Sequence, residues 1–246
     1  MRRRQHVLFI AALARYIGAE ETCVNHSINL AIPAVDLEGL SKASAIVDTR
    51  NSIVDACESF GLFRLVGHGI SQGTIDGALA AHQKLFSLPS NEKSSVPIEP
   101  GGFTRGYIPL GSESGSASRL ECKEAFSYGF EWAAQLGKEQ RTFKNPLQGE
   151  NVWPAVLDQS VRLQLTTFFD ESVRVSRLIA SSLSGALGMS PSALDELCEG
   201  GDTISLMRLF RYFPEADPRC KSAVTSIDER IGSSPHTDWV ESAFLF

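Results

Sequence analysis

The sequence predicts an α+β protein, and three observations carry that prediction. Between residues 32 and 86, strand-like apolar runs alternate with helix-spaced ones. Residues 161–187 keep a three-and-four spacing of apolar positions over a long span. At 204–213 the period changes to that of a strand.

Taken in order, residues 32–37 (Ile-Pro-Ala-Val-Asp-Leu) are apolar and partly β-branched, and Pro33 confines them to a strand start or a sheet edge because it cannot donate to a ladder. Over 41–60, Ile46, Ile53, Val54, Cys57 and Phe60 follow helical spacing, with Gly61 placed as a left-handed C-cap. Residues 62–66 read as a buried-type strand and Gly67-His68-Gly69 as a turn. A second helix is expected over 74–86, with Ile75, Leu79, Leu85 and Phe86 on its apolar side. Residues 94–120, rich in Ser, Gly and Pro, read mostly as loop, with strand character only at 103–108. Val161, Leu165, Phe168, Phe169, Val175, Leu178, Ile179, Leu183 and Leu187 mark one long packed helix. Ser190 as N-cap and Pro191 at the first helical position start a short one, ended by Gly200 and Gly201. Residues 204–213 contain no Gly or Pro and are expected as a strand covered on both faces, ended by Pro214. Residues 231–240 read as a turn entering a further strand.

Composition narrows the classes of function. The chain has 246 residues, 43% of them hydrophobic and 21% charged, which suits a packed core and excludes a disordered or fibrous chain. With 23 Lys and Arg against 29 Asp and Glu, the net charge is −6, so no basic surplus points to nucleic acid as a partner. The five cysteines are odd in number, far apart and without a C-x-x-C pair, so they read as reduced thiols rather than a zinc knuckle or a disulfide framework. No apolar run reaches the ~20 residues of a membrane-spanning helix, and a cytoplasmic protein is expected. One feature opens an alternative: Arg2, Arg3 and Arg4 precede the apolar stretch 7–14, and no acidic residue occurs before Glu20. That layout suits a cleaved secretory or organelle leader, whereas Arg15, which interrupts the run, suits a plain extension. The sequon Asn25-His26-Ser27 counts only if the leader is secretory.

Successive side chains of a strand alternate faces, so His236 and Asp238 in Pro-His-Thr-Asp-Trp would project to one side. One imidazole and one carboxylate on one short strand make two thirds of a two-His, one-carboxylate iron site, which leaves coordination positions open for other ligands. By itself the tripeptide is a weak signal, and its plain reading is a surface His beside a solvated Asp. Two further patterns are decoys. Gly67-x-Gly69-x-x-x-Gly73 is one residue off a dinucleotide-binding loop and has no acidic partner at the end of a second strand. Gly111-Ser-Glu-Ser-Gly115 has Glu113 where a nucleophile elbow needs its nucleophile.

The chain resembles the non-haem iron, 2-oxoglutarate-dependent dioxygenase superfamily, in the branch similar to isopenicillin N synthase. Residues 32–37 resemble its opening strand, and Ala56-Cys57-Glu-Ser-Phe-Gly61-Leu-Phe63 through His68-Gly69-Ile70 resembles its A-C-x-x-x-G-F-F-x-x-x-x-H-G-I signature. Leu85-Phe86-Ser-Leu-Pro89 with Lys93, Arg105-Gly106-Tyr107, Lys123-Glu124-Ala-Phe126 and Asn151-Val-Trp153-Pro154 are similar to its F-x-L-P-x-x-x-K, R-G-Y, K-E-x-F and N-x-W-P landmarks, in the same order. The likeness runs from about Ile32 to Trp239.

The resemblance implies an N-terminal extension or leader (1–30), a dioxygenase N-terminal domain (31–150), and a long helix with the opening strands of a jelly roll, or double-stranded β-helix (151–246). It also implies Fe(II) and the cosubstrate 2-oxoglutarate, ascorbate as a candidate accessory reductant, and O2 with a small organic substrate to be hydroxylated, desaturated or ring-closed. His236 and Asp238 match the family's first two iron ligands in H-T-D-x-G, and Tyr212 matches the tyrosine that faces the cosubstrate or substrate carboxylate. Phe210, on the same strand face, stands where many plant members have a polar residue. Val240 replaces the motif's glycine, and the family's second iron-binding histidine and its R-x-S pair for 2-oxoglutarate would fall after position 246. His6, His26, His68 and His82 are poor substitutes, so a C-terminally truncated chain is expected. The alternative from another class is a catalytically inactive fragment or interaction module.

Overall fold

A computed structural model describes residues 7–11, 32–42, 44–98, 105–114, 119–131, 149–197, 205–214, 216–222, 229–234 and 242–245. In chain order these form strands β1 (Val7–Ala11) and β2 (Ala34–Asp36), a 3-10 turn (Leu37–Ser41), helix α1 (Ile46–Ser59), strand β3 (Leu62–Val66), and helices α2 (Gln72–Ser87) and α3 (Ser90–Lys93). There follow strands β4 (Gly106–Ile108), β5 (Arg119–Glu121) and β6 (Lys123–Gly129), then helices α4 (Gln159–Ala186) and α5 (Ala193–Leu197). Strand β7 (Leu206–Tyr212), helix α6 (Pro218–Ser222), and strands β8 (Glu229–Ile231) and β9 (Ser242–Leu245) complete the set. The elements divide into two compact units. One holds the residues up to Gly69, Arg174–Leu197 and β9, and the other holds Ile70–Val173 and the described residues from 205 to 234.

The first unit is a four-stranded sheet of order β2-β3-β1-β9 with α1 and the later part of α4. β2 lies at an edge, parallel to β3, as Pro33 predicts. Val7–Ala11, expected within a leader or an extension, is a strand antiparallel to both β3 and β9. Helix α1 begins at Ile46 rather than near 41, because Asp36 accepts the Glu38 N–H at 3.0 Å and winds 37–41 into the 3-10 turn. Its buried stripe is Thr49, Ile53, Ala56 and Cys57, and the Gly61 N–H closes the last turn on Ala56 and Cys57. Gly67 has φ +62°, and a Cβ there would fall 2.0 Å from Asp36 Oδ1, so the turn after β3 admits only glycine. Arg174 donates to the His68 carbonyl at 3.0 Å and braces that turn. Burial, and secondarily the Arg174 charge, lower the His68 pKa.

In the second unit, β4, β6 and β7 form an antiparallel sheet of order β4-β6-β7, and β5 pairs in parallel with β8. Ser71 caps α2 by accepting the Thr74 N–H at 3.0 Å. The inward face of α2 is Ile75, Ala78, Ala81, Leu85 and Phe86, while Leu79, expected on that face, is exposed. The alanines allow close packing, and their small size hides the stripe from a count of large apolar residues. Ala81, Leu85 and Phe86 pack with Tyr107, Phe126, Tyr128, Leu157, Val161, Leu165 and Phe169. The landmark residues brace this core: Trp153 stacks on Phe126 at 5.4 Å, Arg105 donates to Asn151 and to the Phe130 carbonyl, and Asn151 bonds both backbone groups of Gly129.

Two other expectations change. The sequence pattern points to loop at 119–120 and to no strand through 129, yet β5 and β6 lie there and every residue of β6 is buried. β7 is half-buried rather than covered on both faces, because it lies at the edge of its sheet among the described residues and packs one face on helices. Ile231 closes strand β8 just before a bend at 232–233, and the strand expected after that turn, at 235–240, lies outside the described residues. Smaller differences occur at helix ends. Leu178 and Leu187 are exposed, and α5 starts at Ala193, where Ser190 Oγ still accepts the Ser192 N–H.

Candidate functional site

The antiparallel register of β6 and β7 sorts their side chains into two faces. On the helical face, Glu124, Phe126 and Tyr128 lie with Met207, Leu209 and Arg211, and the aromatic and apolar members join the core of α2 and α4. On the other face, Lys123, Ala125 and Ser127 lie opposite Tyr212, Phe210 and Arg208.

The helical face carries a buried polar network. Lys93 Nζ donates to Glu124 Oε2 at 2.7 Å and to the Phe86 carbonyl at 3.3 Å, and the Tyr107 hydroxyl donates to the same Glu124 oxygen. Arg211 donates to the Phe86 carbonyl at 3.0 Å and reaches Glu124 Oε1 at 3.4 Å. Burial, followed by the bond to Glu124 and its charge, raises the Tyr107 pKa. An open cavity of about 340 Å³ is lined by Ser90, Lys93, Tyr107, Glu124, Phe213 and Arg219, with Leu110 at its wall. Arg219 stacks its guanidinium 4.0 Å from the Phe213 ring centre and grips Asp217 with two bonds. That grip holds the Asp217 carboxyl down at about 2.

The opposite face holds a chain of charges. Arg208 donates to Glu113 Oε1 at 2.6 Å, Lys123 lies 3.7 Å from the other Glu113 oxygen, and Lys123 pairs with Glu121 at 2.8 Å. Glu121 Oε1 in turn accepts the Ser234 N–H at 2.6 Å. Burial alone would raise the Glu121 pKa, but the bonds from Lys123 and Ser234 and the Lys123 charge outweigh it and leave the carboxyl below its ordinary value. Lys123 Nζ also lies 5.0 Å from the Phe210 ring centre, and Phe210 contacts Tyr212 at 5.9 Å. Ser127 is wholly buried, and its hydroxyl has no hydrogen-bond partner among the described residues.

Of the residues expected at the site, Tyr212 is on this face, 54% exposed, and turned away from the helical layer. The bend after β8 comes up against it, since a Cβ at Gly232 would lie 3.4 Å from the Tyr212 ring. His236 and Asp238 lie outside the described residues; the described segment nearest them in sequence ends at Ser234, anchored on Glu121. Among the described residues no three His, Cys, Asp or Glu side chains come together as a metal site. Sequence reasoning missed Glu113, Glu121 and Ser127. Glu113 sat in a discarded pattern, and only the K-E-x-F landmark pointed at the strand that carries Ser127.

Comparison with known proteins adds the family. Residues 32–156 match the model of the family described as non-haem dioxygenase in morphine synthesis, N-terminal. The 2-oxoglutarate-dependent dioxygenases caaD of Aspergillus niger and citB of Monascus ruber are each 29% identical, over 85% of this chain. The chain spans 61% and 62% of their lengths. A 2OG-Fe(II) oxygenase family protein from Caulobacter crescentus has the same fold over 75% of this chain and 57% of its own, with a TM-score of 0.62 and 23% identity. In agreement with the order of its landmarks and its mixed α/β architecture, this chain belongs to the non-haem dioxygenase family, within the 2-oxoglutarate- and Fe(II)-dependent dioxygenases.

Proposed function

We propose that the protein takes part in Fe(II)- and 2-oxoglutarate-dependent oxidation of a small organic substrate, by hydroxylation, desaturation or ring closure. The observation that carries the reading is the convergence of Tyr212 and the segment running toward His236 on one sheet face, in a chain of this family. His236 and Asp238 would hold the metal, because an imidazole and a carboxylate two residues apart suit ferrous iron as borderline and hard donors. Iron, when bound, supplies the O2 chemistry, and the protein binds, orients and shields. β4, β6 and β7, with β5 and β8, are the opening strands of a jelly roll whose inner face is the Tyr212 face. Tyr212 directs its hydroxyl to the carboxylate of 2-oxoglutarate or of the substrate. Phe210 beside it supplies an apolar wall.

The test uses the protein prepared without metal and then given Fe(II), 2-oxoglutarate and O2. Succinate formation that needs added iron and is lost in His236→Ala and Asp238→Ala is the expected result. A metal-loaded protein that consumes no 2-oxoglutarate would favour the interaction-module alternative, and unchanged turnover in His236→Ala would remove the ligand assignment. Tyr212→Phe is expected to raise the KM for 2-oxoglutarate or for substrate by about tenfold, the scale of one lost hydrogen bond to a charged group.

A further inference from the structure

We propose that Arg208, Lys123 and Ser127 form a receptor for a carboxylate on the organic substrate, and that Glu113 of the chain itself occupies this receptor in the present structure. The inference rests on the dioxygenase reading and names the substrate class.

The receptor already holds a carboxylate. Glu113 bridges two cations on neighbouring strands, one oxygen 2.6 Å from Arg208 and the other 3.7 Å from Lys123. The two cations are placed by the register of β6 and β7, which is fixed by backbone pairing and therefore preformed. Glu113 lies instead in the 110–114 turn, outside any strand, so a competing carboxylate can take its place without breaking a sheet ladder. The exchange is neutral in charge, since one carboxylate replaces another. Glu121 cannot fill the same role, being held by Lys123 and by the Ser234 backbone.

Ser127 is the second, independent observation. It stands directly opposite Arg208 in the β6–β7 register, is 0% exposed, and has a hydroxyl with no hydrogen-bond partner among the described residues. Buried polar groups are nearly always satisfied, so an orphan hydroxyl cross-strand from Arg208 marks a place where an oxygen from outside the protein belongs. The arrangement also sets orientation: with its carboxylate on Arg208, an organic acid lays its remainder along Phe210 toward Tyr212, on the face that the reaction is proposed to use.

Binding is measured on the full chain by calorimetry, without metal, using phenylacetate, phenylacetamide and 2-oxoglutarate as probes. The acid is expected to bind and the amide not. Glu113→Gln should tighten acid binding about tenfold, the gain from removing an internal competitor that fills the receptor nine-tenths of the time. Arg208→Gln should abolish acid binding in both backgrounds. Because Arg208→Gln also breaks an ion pair, Ser127→Ala serves as the milder variant and should weaken the acid several-fold while leaving the melting temperature in place. Equal binding of acid and amide, or acid affinity unmoved by Glu113→Gln, would overturn the proposal. Arg208-dependent binding of 2-oxoglutarate alone would also overturn it, by assigning the receptor to the cosubstrate. Acid binding in a metal-loaded protein that turns over no 2-oxoglutarate would sink the dioxygenase reading instead.

Discussion

Glu124 is a carboxylate buried among partners that fully occupy it. Lys93 and Glu124 are both about 5% exposed in their side chains, and the Tyr107 hydroxyl shares the same carboxylate. Removing one partner of such a pair leaves the other charge desolvated and uncompensated, so Lys93→Met should cost ~3–5 kcal/mol of stability in urea unfolding. A loss below 1 kcal/mol would mean that Arg211 takes over the carboxylate. Glu121 yields a prediction about pH. Its carboxyl titrates lower in the folded chain than its ordinary value of 4.5. The folded state therefore gains from the ionised form, fully above the unfolded pKa, and loses that gain as pH falls through the folded pKa. Protection of the amides at 229–234, taken relative to their intrinsic exchange at each pH, should fall as the pH drops below about 4.5, and Glu121→Gln should flatten that dependence. Protection that falls on alkalinisation instead would contradict the sign.

At the scale of elements, the readable parts were those whose burial is apolar. The α4 stripe is legible because Val161, Leu165 and Phe169 are large, apolar and helically spaced. It also predicts a contrast: Leu165→Ala, at a fully buried position, should lower stability by ~2–5 kcal/mol, whereas Leu163→Ala, 61% exposed two residues away, should change it by no more than ~0.5 kcal/mol. Thermal melts of the two variants decide this. β6 was illegible for the converse reason. Lys-Glu-Ala-Phe-Ser-Tyr-Gly opens with two charges, and hydrophobic periodicity counts them as surface although both are buried. Their burial depends on Lys93 and Glu121, partners whose proximity only the fold supplies. The candidate site shows the same division. Its motif was enough to put Tyr212 on the strand with Phe210, while Glu113 meets Arg208 across 95 positions and no local pattern announces that.

For the molecule as a whole, the thiols report on both units. Cys57 lies in the first unit, Cys122 and Cys220 in the second, and all three are free and buried. Burial, with a smaller push from Glu58, raises the Cys57 thiol, and burial with the neighbouring Cys122 thiol pushes Cys220 up to about 12. Since the thiolate is the reactive form, iodoacetamide at neutral pH should leave these three unmodified in the native protein and label them on denaturation. Peptide mass spectrometry reads the result, and rapid labelling of Cys220 in the native protein would contradict its burial.

The bond between Glu121 and Ser234 spans 113 positions, and the parallel pairing of β5 with β8 closes the same long loop. In folding time this has a meaning that the finished structure hides. Closing so long a loop carries a large entropic cost, which is offset only once both ends present ordered partners. β4 and β6, close in sequence, can pair early, and the segment that leads to His236 docks after them. Until it arrives, β5 waits as an open edge beside unpaired backbone. Glu121 and Lys123, at the junction of β5 and β6, place opposite charges along that edge during the wait, and charged side chains there discourage pairing with another chain. The residues that later anchor the segment leading to His236 thus first protect the folding chain from association.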